Sequence, residues 1–290
     1  MLTGIHVPLI TPFAASGAVD AQSFEKLAHH VLDQGASGLV ALGTTGEVAA
    51  LSAEERAVVI ETCVRICAGR DVPLTVGVSG NDTRSTIAAL RALPGGVTAA
   101  LVPVPYFLRP SERGVIAHFE ALAEVTPVPL VVYHIPYRTG QQVGAATLRH
   151  LGAHPMIAGV KYATGSVDQD ALDLLADLPT GFDVLCGDDP FVSPLLALGA
   201  SGGIVASANL ATDRFVALAQ AWQAGDAERA RELGQRLFKL SAALFTEPNP
   251  TVLKGVLHVR GLIPTADVRL PLLPASAASV AHADTVAFGG

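Results

Sequence analysis

Met156-Ile157-Ala158-Gly159-Val160-Lys161-Tyr162-Ala163-Thr164-Gly165 is an apolar run with one lysine near its end and a glycine to close it. A stretch of this length bounded by turn residues reads as a strand covered on both faces, as in a parallel sheet. Side chains alternate along a strand, so Lys161 shares a face with Gly159 and Ile157, while Val160 and Ala158 point the other way. The lysine therefore falls in or beside a core, where an unpaired ammonium is expensive. Two readings are open. On an edge strand the side chain would snorkel to water. In a covered strand it is a desolvated amine of lowered pKa, of the kind that attacks carbonyls to form Schiff bases. Lysine is scarce in the chain, and Lys26, Lys239 and Lys254 all fall in helical patterns, which adds weight to the second reading.

Outward from this strand, the same unit recurs. Ile5–Ile10, Leu39–Leu42, Leu74–Val78, Ala99–Val104 and Leu130–His134 precede it as strand candidates, and Asp183–Cys186 and Gly203–Ala206 follow. Helical patterns separate them, one started by Asp20 as N-cap and one by Ser52 with Glu55 at the capping-box position. Gly35-Ala36-Ser37-Gly38 and Gly199-Ala200-Ser201-Gly202 echo one another, each stopping a helix and opening a strand. Strand and helix alternating about eight times in a chain of this length favour an α/β fold of the closed (β/α)8 TIM-barrel type over an open doubly wound sheet. After residue 210 only helical patterns remain. The expected organisation is a barrel over residues 1–210, carrying the active site, and C-terminal helices over 211–290 that end in a loosely held Ala/Ser-rich tail from Ala275 to Gly290.

Composition narrows the class. Half of the 290 residues are hydrophobic and 16% are charged, which indicates a large core. The mean hydropathy of +0.44 comes from Ala, Val and Leu dispersed among charges, without a run of the ~20 apolar residues that span a bilayer. No basic leader precedes the first strand, and three cysteines without metal-type spacing fit reduced thiols. A net charge of −7 without a basic patch argues against nucleic acid as partner. These features point to a cytoplasmic globule acting on small molecules.

In a (β/α)8 barrel the chemistry gathers at the carboxyl ends of the strands. The second strand delivers Gly43-Thr44-Thr45-Gly46-Glu47, two hydroxyls and several N–H groups in a Gly-rich turn, suited either to a small carboxylate or to capping the next helix. The fifth ends in Tyr133-His134 and runs into Ile135-Pro136-Tyr137-Arg138-Thr139-Gly140. Consecutive barrel strands are neighbours, so Tyr133 should lie beside Lys161, as a proton shuttle or as a core tyrosine. Arg138 could hold a carboxylate bidentately or form a surface ion pair. Nine scattered histidines lack a ligand pairing, so no metal and no cofactor is expected. Asp188 and Asp189, after Gly187, could bind a metal, but N-capping of the helix at Pro190 explains them more simply.

These stretches, with Pro105-Tyr106, Arg109-Pro110-Ser111, Ala163-Thr164-Gly165, Gly187-Asp188-Asp189 and Glu247-Pro248-Asn249-Pro250, resemble the dihydrodipicolinate synthase / N-acetylneuraminate lyase family of class I pyruvate aldolases from about Leu2 to Leu273. The resemblance implies a (β/α)8 barrel with C-terminal helices, assembled as a homotetramer or homodimer. It implies that Lys161 forms the imine with pyruvate, that Thr44 and Thr45, with Gly43, anchor the pyruvate carboxylate, and that Tyr133 relays protons, with Thr44 also counted among the catalytic residues. The Ile204 carbonyl would line the same site. The Thr-Thr turn and the Arg138 loop look more like the synthase, in which Arg138 would hold the carboxylate of aspartate semialdehyde.

Three positions depart from the synthase pattern. Phe107 stands where a second tyrosine usually reaches a neighbouring subunit; Tyr106 precedes it and, if extended, should face the other way. Tyr162 replaces the usual Glu after the lysine, and His134 replaces the usual Asn after Tyr133. Asn81 matches the lysine-feedback site of regulated synthases, whereas Val48, Ala53 and Ser85 do not. The expected activity is a lyase of lysine biosynthesis, condensing pyruvate with aspartate 4-semialdehyde to 4-hydroxy-tetrahydrodipicolinate. The rivals are a pyruvate-releasing aldolase or dehydratase on a 2-keto-3-deoxy sugar acid or 4-hydroxy-2-oxo acid, and a pyruvate-binding barrel that has lost turnover.

Overall fold

The computed structural model describes residues 2–289; Met1 and Gly290, the outermost residues of the expected barrel and tail, lie outside the described residues. Eight strands are seen among the described residues: β1 (Gly4–Pro8), β2 (Gly38–Ala41), β3 (Leu74–Gly77), β4 (Ala99–Pro103), β5 (Leu130–His134), β6 (Ile157–Tyr162), β7 (Asp183–Cys186) and β8 (Gly202–Ile204). They close into a barrel in chain order. Between them lie α1 (Ala21–Asp33), α2 (Ala53–Arg70), α3 (Thr83–Arg91), α4 (Glu112–Ala123), α5 (Pro136–Thr139), α6 (Ala145–Gly152), α7 (Gln169–Ala176) and α8 (Val192–Ala197). The chain ends in α9 (Ala208–Gln223), α10 (Ala227–Leu244), α11 (Thr251–Val259) and α12 (Ala277–Phe288).

The echoed Gly-Ala-Ser-Gly segments have one physical cause. At the first, Gly35 adopts φ +93°, its N–H bonds to Leu32 O, and the Ala36 N–H reaches back to Val31 O. At the second, Gly199 adopts φ +102°, with N–H bonds from Gly199 to Leu196 O and from Ala200 to Leu195 O. Each left-handed glycine ends its helix without the Cβ clash that other residues meet there. The serine then enters the sheet, Ser37 N–H on Ile5 O at 2.7 Å and Ser201 N–H on Val184 O at 2.8 Å. The closing glycine admits backbone: a Cβ on Gly202 would lie 2.0 Å from Gly4 O, and one on Gly38 would lie 2.8 Å from Pro73 O.

The described chain gathers into two compact units. One runs from Thr75 to Ile204, together with the start of the chain up to Gly4, and holds β4–β8 with their helices. The other combines Ile5–Leu74 with the chain from Val205 onward. Within this second unit α9 packs on α1 and α10, and α12 packs on α10 and α11. The expectation of a loose tail is corrected by α12. Ser276 caps it through the Ser279 N–H, Glu247 receives both the N–H and the hydroxyl of Ser276, and the Arg260 guanidinium forks onto Asp284 at 2.6 and 2.8 Å. Alanine has the highest helix propensity, and a side chain on Gly255 would strike Val280, so small residues here serve close helix packing rather than looseness. No described helix is long and apolar enough to cross a membrane.

Candidate active site

β6 bonds to β5 on one side and to β7 on the other, which removes the edge-strand reading of Lys161. The register sets Tyr133 opposite Lys161 and His134 opposite Tyr162. Lys161 is 6% exposed, and its Nζ stands 4.2 Å from the centroid of the Tyr133 ring. The lysine stem has room because β7 is followed by Gly187, where a Cβ would come within 2.8 Å of Lys161 Cγ and 2.9 Å of Cε. A buried amine held over a phenol ring, with its chain extended along a glycine, is suited to attack a small carbonyl compound.

Around this pair, Asp188 is half-buried, and its carboxylate accepts the Gly165 N–H at 2.6 Å. Burial raises its pKa against the pull of the Gly165 N–H, Lys161 and Arg138. The expected capping role of Asp188 is corrected: the helical turn Asp189–Phe191 receives no side-chain cap from it, because the carboxylate is committed to Gly165. Arg138 lies on α5, stacked on the Tyr137 ring at 4.9 Å with Nε donating to the Tyr137 hydroxyl at 2.9 Å, rather than in a surface ion pair. Ile204 ends β8 and is buried. Tyr106-Phe107 is not extended: Phe107 has φ +69°, and the Leu108 N–H closes on Tyr106 O at 2.8 Å. This tight turn leaves the Phe107 ring 85% exposed.

The second unit carries the end of β2. Gly43 is extended and leads into a helical turn over Thr44–Gly46. Thr45 is buried, and its Oγ1 accepts a hydrogen bond from Asn249 Nδ2 at 3.0 Å. Glu47 follows in the left-handed region (φ +54°) with a buried carboxylate. Lys254 Nζ donates to Glu47 Oε1 at 2.8 Å and to Thr11 O at 2.9 Å, and the Arg269 N–H donates to Glu47 Oε2 at 2.9 Å. Burial lowers the Lys254 pKa, and Glu47 opposes that shift. Sequence reasoning passed over Lys254 because its helical spacing matched an exposed lysine. The sequence carried no signal against this, since Thr251, Lys254 and His258 share one face of α11 and that face reads as the wet one.

With this geometry in place, a model described as the dihydrodipicolinate synthetase family matches residues 1–286. The chain belongs to this family. Among relatives of the dihydrodipicolinate synthetase family, 4-hydroxy-tetrahydrodipicolinate synthase 2 of Clostridium acetobutylicum is 37% identical over 95% of this chain and 96% of its own. The 4-hydroxy-tetrahydrodipicolinate synthase of Pseudomonas aeruginosa is 39% identical over 94% of this chain and 92% of its own. The solved structure of the chloride-inhibited dihydrodipicolinate synthase of Acinetobacter baumannii, in complex with pyruvate, is 35% identical with a TM-score of 0.93, covering 99% of this chain and 98% of that one. A monomeric dihydrodipicolinate synthase variant is 31% identical with a TM-score of 0.93, covering 98% and 95%.

Two of the departures from the synthase pattern meet each other. His134 and Tyr162 are register partners on the strand faces opposite Tyr133 and Lys161, their rings 5.4 Å apart. The Tyr162 hydroxyl donates to Asp168 at 2.6 Å, which also caps α7. The exchange of both positions is thus one local repacking behind the lysine. His134 is fully buried with no hydrogen-bond partner on either ring nitrogen. Burial pushes its pKa down to about 4, against the attraction of Asp168, Asp170 and Glu112. A depressed histidine pKa means that the unfolded chain takes up its proton first as pH falls below the ordinary value near 6.5. His134 should therefore leave stability untouched above that pH and remove about 3 kcal/mol as pH falls to its folded pKa. Replacing it with Phe should make the pH 4–6.5 limb of the urea midpoint shallower, the remainder coming from His118, which burial also pushes down to about 4; an unchanged limb would exclude this account.

Proposed function

We propose that this chain condenses pyruvate with aspartate 4-semialdehyde to give 4-hydroxy-tetrahydrodipicolinate, through an imine on Lys161. The observation that carries the reading is the Lys161–Tyr133 pair, a buried amine 4.2 Å from a phenol ring at the ends of two adjacent strands. The neutral amine adds to the keto carbon of pyruvate, and water leaves to form the iminium. The iminium draws the electron pair of a methyl C–H bond into an enamine as the proton departs. The enamine carbon attacks the aldehyde, whose oxygen takes up a proton. The amino group of the acceptor then displaces Lys161 at the imine carbon, closing the ring and freeing the enzyme. Tyr133 and Thr44 serve as the proton carriers, Thr45 and the Gly43 turn hold the pyruvate carboxylate, the Ile204 carbonyl lines the site, and Arg138 takes the acceptor carboxylate.

A panel of aldehydes, each offered with pyruvate, tests the assignment. Aspartate semialdehyde should be consumed fastest. Cleavage of a 2-keto-3-deoxy sugar acid at a higher kcat/KM would assign the chain to the pyruvate-releasing lyases, and slow turnover on every substrate would assign it to the inactive barrels. The same reading places the enzyme in the cytoplasm as a homo-oligomer, a tetramer or dimer. Sedimentation should return a multiple of 29.8 kDa; a particle of one chain's mass overturns the oligomer.

A further inference from the structure

A threonine hydroxyl has one proton to give and two lone pairs to receive with, and its rotor turns to suit its neighbours. At Thr45 that choice is made by a residue 204 positions further along the chain. Asn249 Nδ2 donates to Thr45 Oγ1 at 3.0 Å, which fills a lone pair and leaves the proton to point elsewhere. The donor is itself held. The Thr251 N–H and hydroxyl both bond to Pro248 O, at 2.9 and 2.7 Å, fixing the turn that carries Asn249 into α11. Two residues beyond Thr45, Glu47 is gripped on one oxygen by Lys254 of the same helix and on the other by the Arg269 N–H. The Thr44–Gly46 turn is thus held at Thr45 and just beyond its end at Glu47.

We propose that Asn249 is a positioning residue: it orients the Thr45 hydroxyl as an outward donor, ready for the carboxylate of the bound 2-oxo acid. This rests on the reading that pyruvate binds as an imine on Lys161 with its carboxylate at Thr45. The contribution is one of polarity. An amide at residue 249 offers an N–H to Thr45, whereas a carboxylate of the same shape can only accept, would take the Thr45 proton and would add a like charge.

The test is pyruvate-dependent borohydride labelling of Lys161 in the full-length protein, read as the pyruvate concentration for half-maximal labelling. The variants are Asn249→Asp, Asn249→Ala, Thr45→Val and the two combinations with Thr45→Val. Asn249→Asp is nearly isosteric and carries the test even if Asn249→Ala folds poorly, with thermal midpoints read alongside. We expect about a 30-fold rise for Asn249→Asp and about a 5-fold rise for Asn249→Ala, the scale of a charge-assisted hydrogen bond lost or reversed. Turnover at saturating pyruvate should change less than half-saturation does. In the Thr45→Val background Asn249→Ala should add less than about a 2-fold change, since coupled residues are not additive. Unchanged half-saturation in Asn249→Asp, or equal effects of Asn249→Ala with and without the Thr45 hydroxyl, overturns the inference while the imine reading stands. Absence of label on Lys161 in the wild-type protein overturns the imine reading, and this inference with it.

Discussion

Lys161→Met should abolish pyruvate-dependent borohydride labelling and lower turnover on the order of 10⁴-fold or more, because no other group can supply the imine nitrogen. The fold should survive. Methionine is close in volume to the lysine stem, and the substitution removes a buried polar group from beside the Tyr133 ring, so thermal stability should hold or rise. Lys254 is the informative comparison, since it is also buried, yet its ammonium is occupied by Glu47 and Thr11 O and should take no label. Tyr133→Phe completes the set. The ring stays beneath the Lys161 amine, so the imine still forms and labels, whereas losing the hydroxyl should slow turnover by about 10²-fold, the scale of one general acid–base group. Peptide mapping of the labelled protein decides the matter. Label on any peptide other than the one containing Lys161, or label persisting in Lys161→Met, would defeat the assignment of the nucleophile.

The barrel was legible because its signals are local and repeated. A strand covered on both faces writes an apolar run, a helix that must stop and turn into a strand needs a left-handed residue, and both recur along this chain at Gly35 and Gly199. The capping box at Ser52 and Glu55 and the Asp20 cap formed as their spacing required, because a cap is a matter of three residues. The adjacency of Tyr133 and Lys161 followed from strand order alone. What escaped depends on partners distant in sequence. Nothing near Asp188 announces that Gly165 will offer it an N–H, and nothing near Ala275 announces that Gly255 makes room for Val280. His134 and Tyr162 read as two separate departures from the synthase pattern, and only the register makes them neighbours. At Tyr106-Phe107 the alternation argument held only for an extended chain, and the Leu108 N–H on Tyr106 O folds the chain back instead. Lys254 escaped for the opposite reason: its spacing with Thr251 and His258 reads as a wet helical face, yet every residue from Thr251 to Leu257 is buried.

Lys254→Met should be the most damaging substitution to stability outside the strands that carry the chemistry. Lys254 and Glu47 are both almost wholly buried, and their 2.8 Å contact satisfies charges that would otherwise be stranded in the core. Removing the ammonium leaves Glu47 with the Arg269 N–H and no countercharge within the pair, and breaking a buried pair in this way costs about 3–5 kcal/mol. The strained Glu47 backbone adds to the consequence, since the left-handed conformation at a non-glycine residue persists only while its surroundings hold it. The damage should be largely repaired by a second change. Lys254→Met combined with Glu47→Gln removes both charges and keeps an amide oxygen to accept the Arg269 N–H, so the double variant should recover most of the urea midpoint lost by the single one. Repair of stability without repair of pyruvate half-saturation would locate the role of the charges in holding the Thr44–Thr45 turn rather than in folding alone. A single Lys254→Met variant that loses less than about 1 kcal/mol, the range of a surface pair, would show that the ammonium carries little of the load at this site.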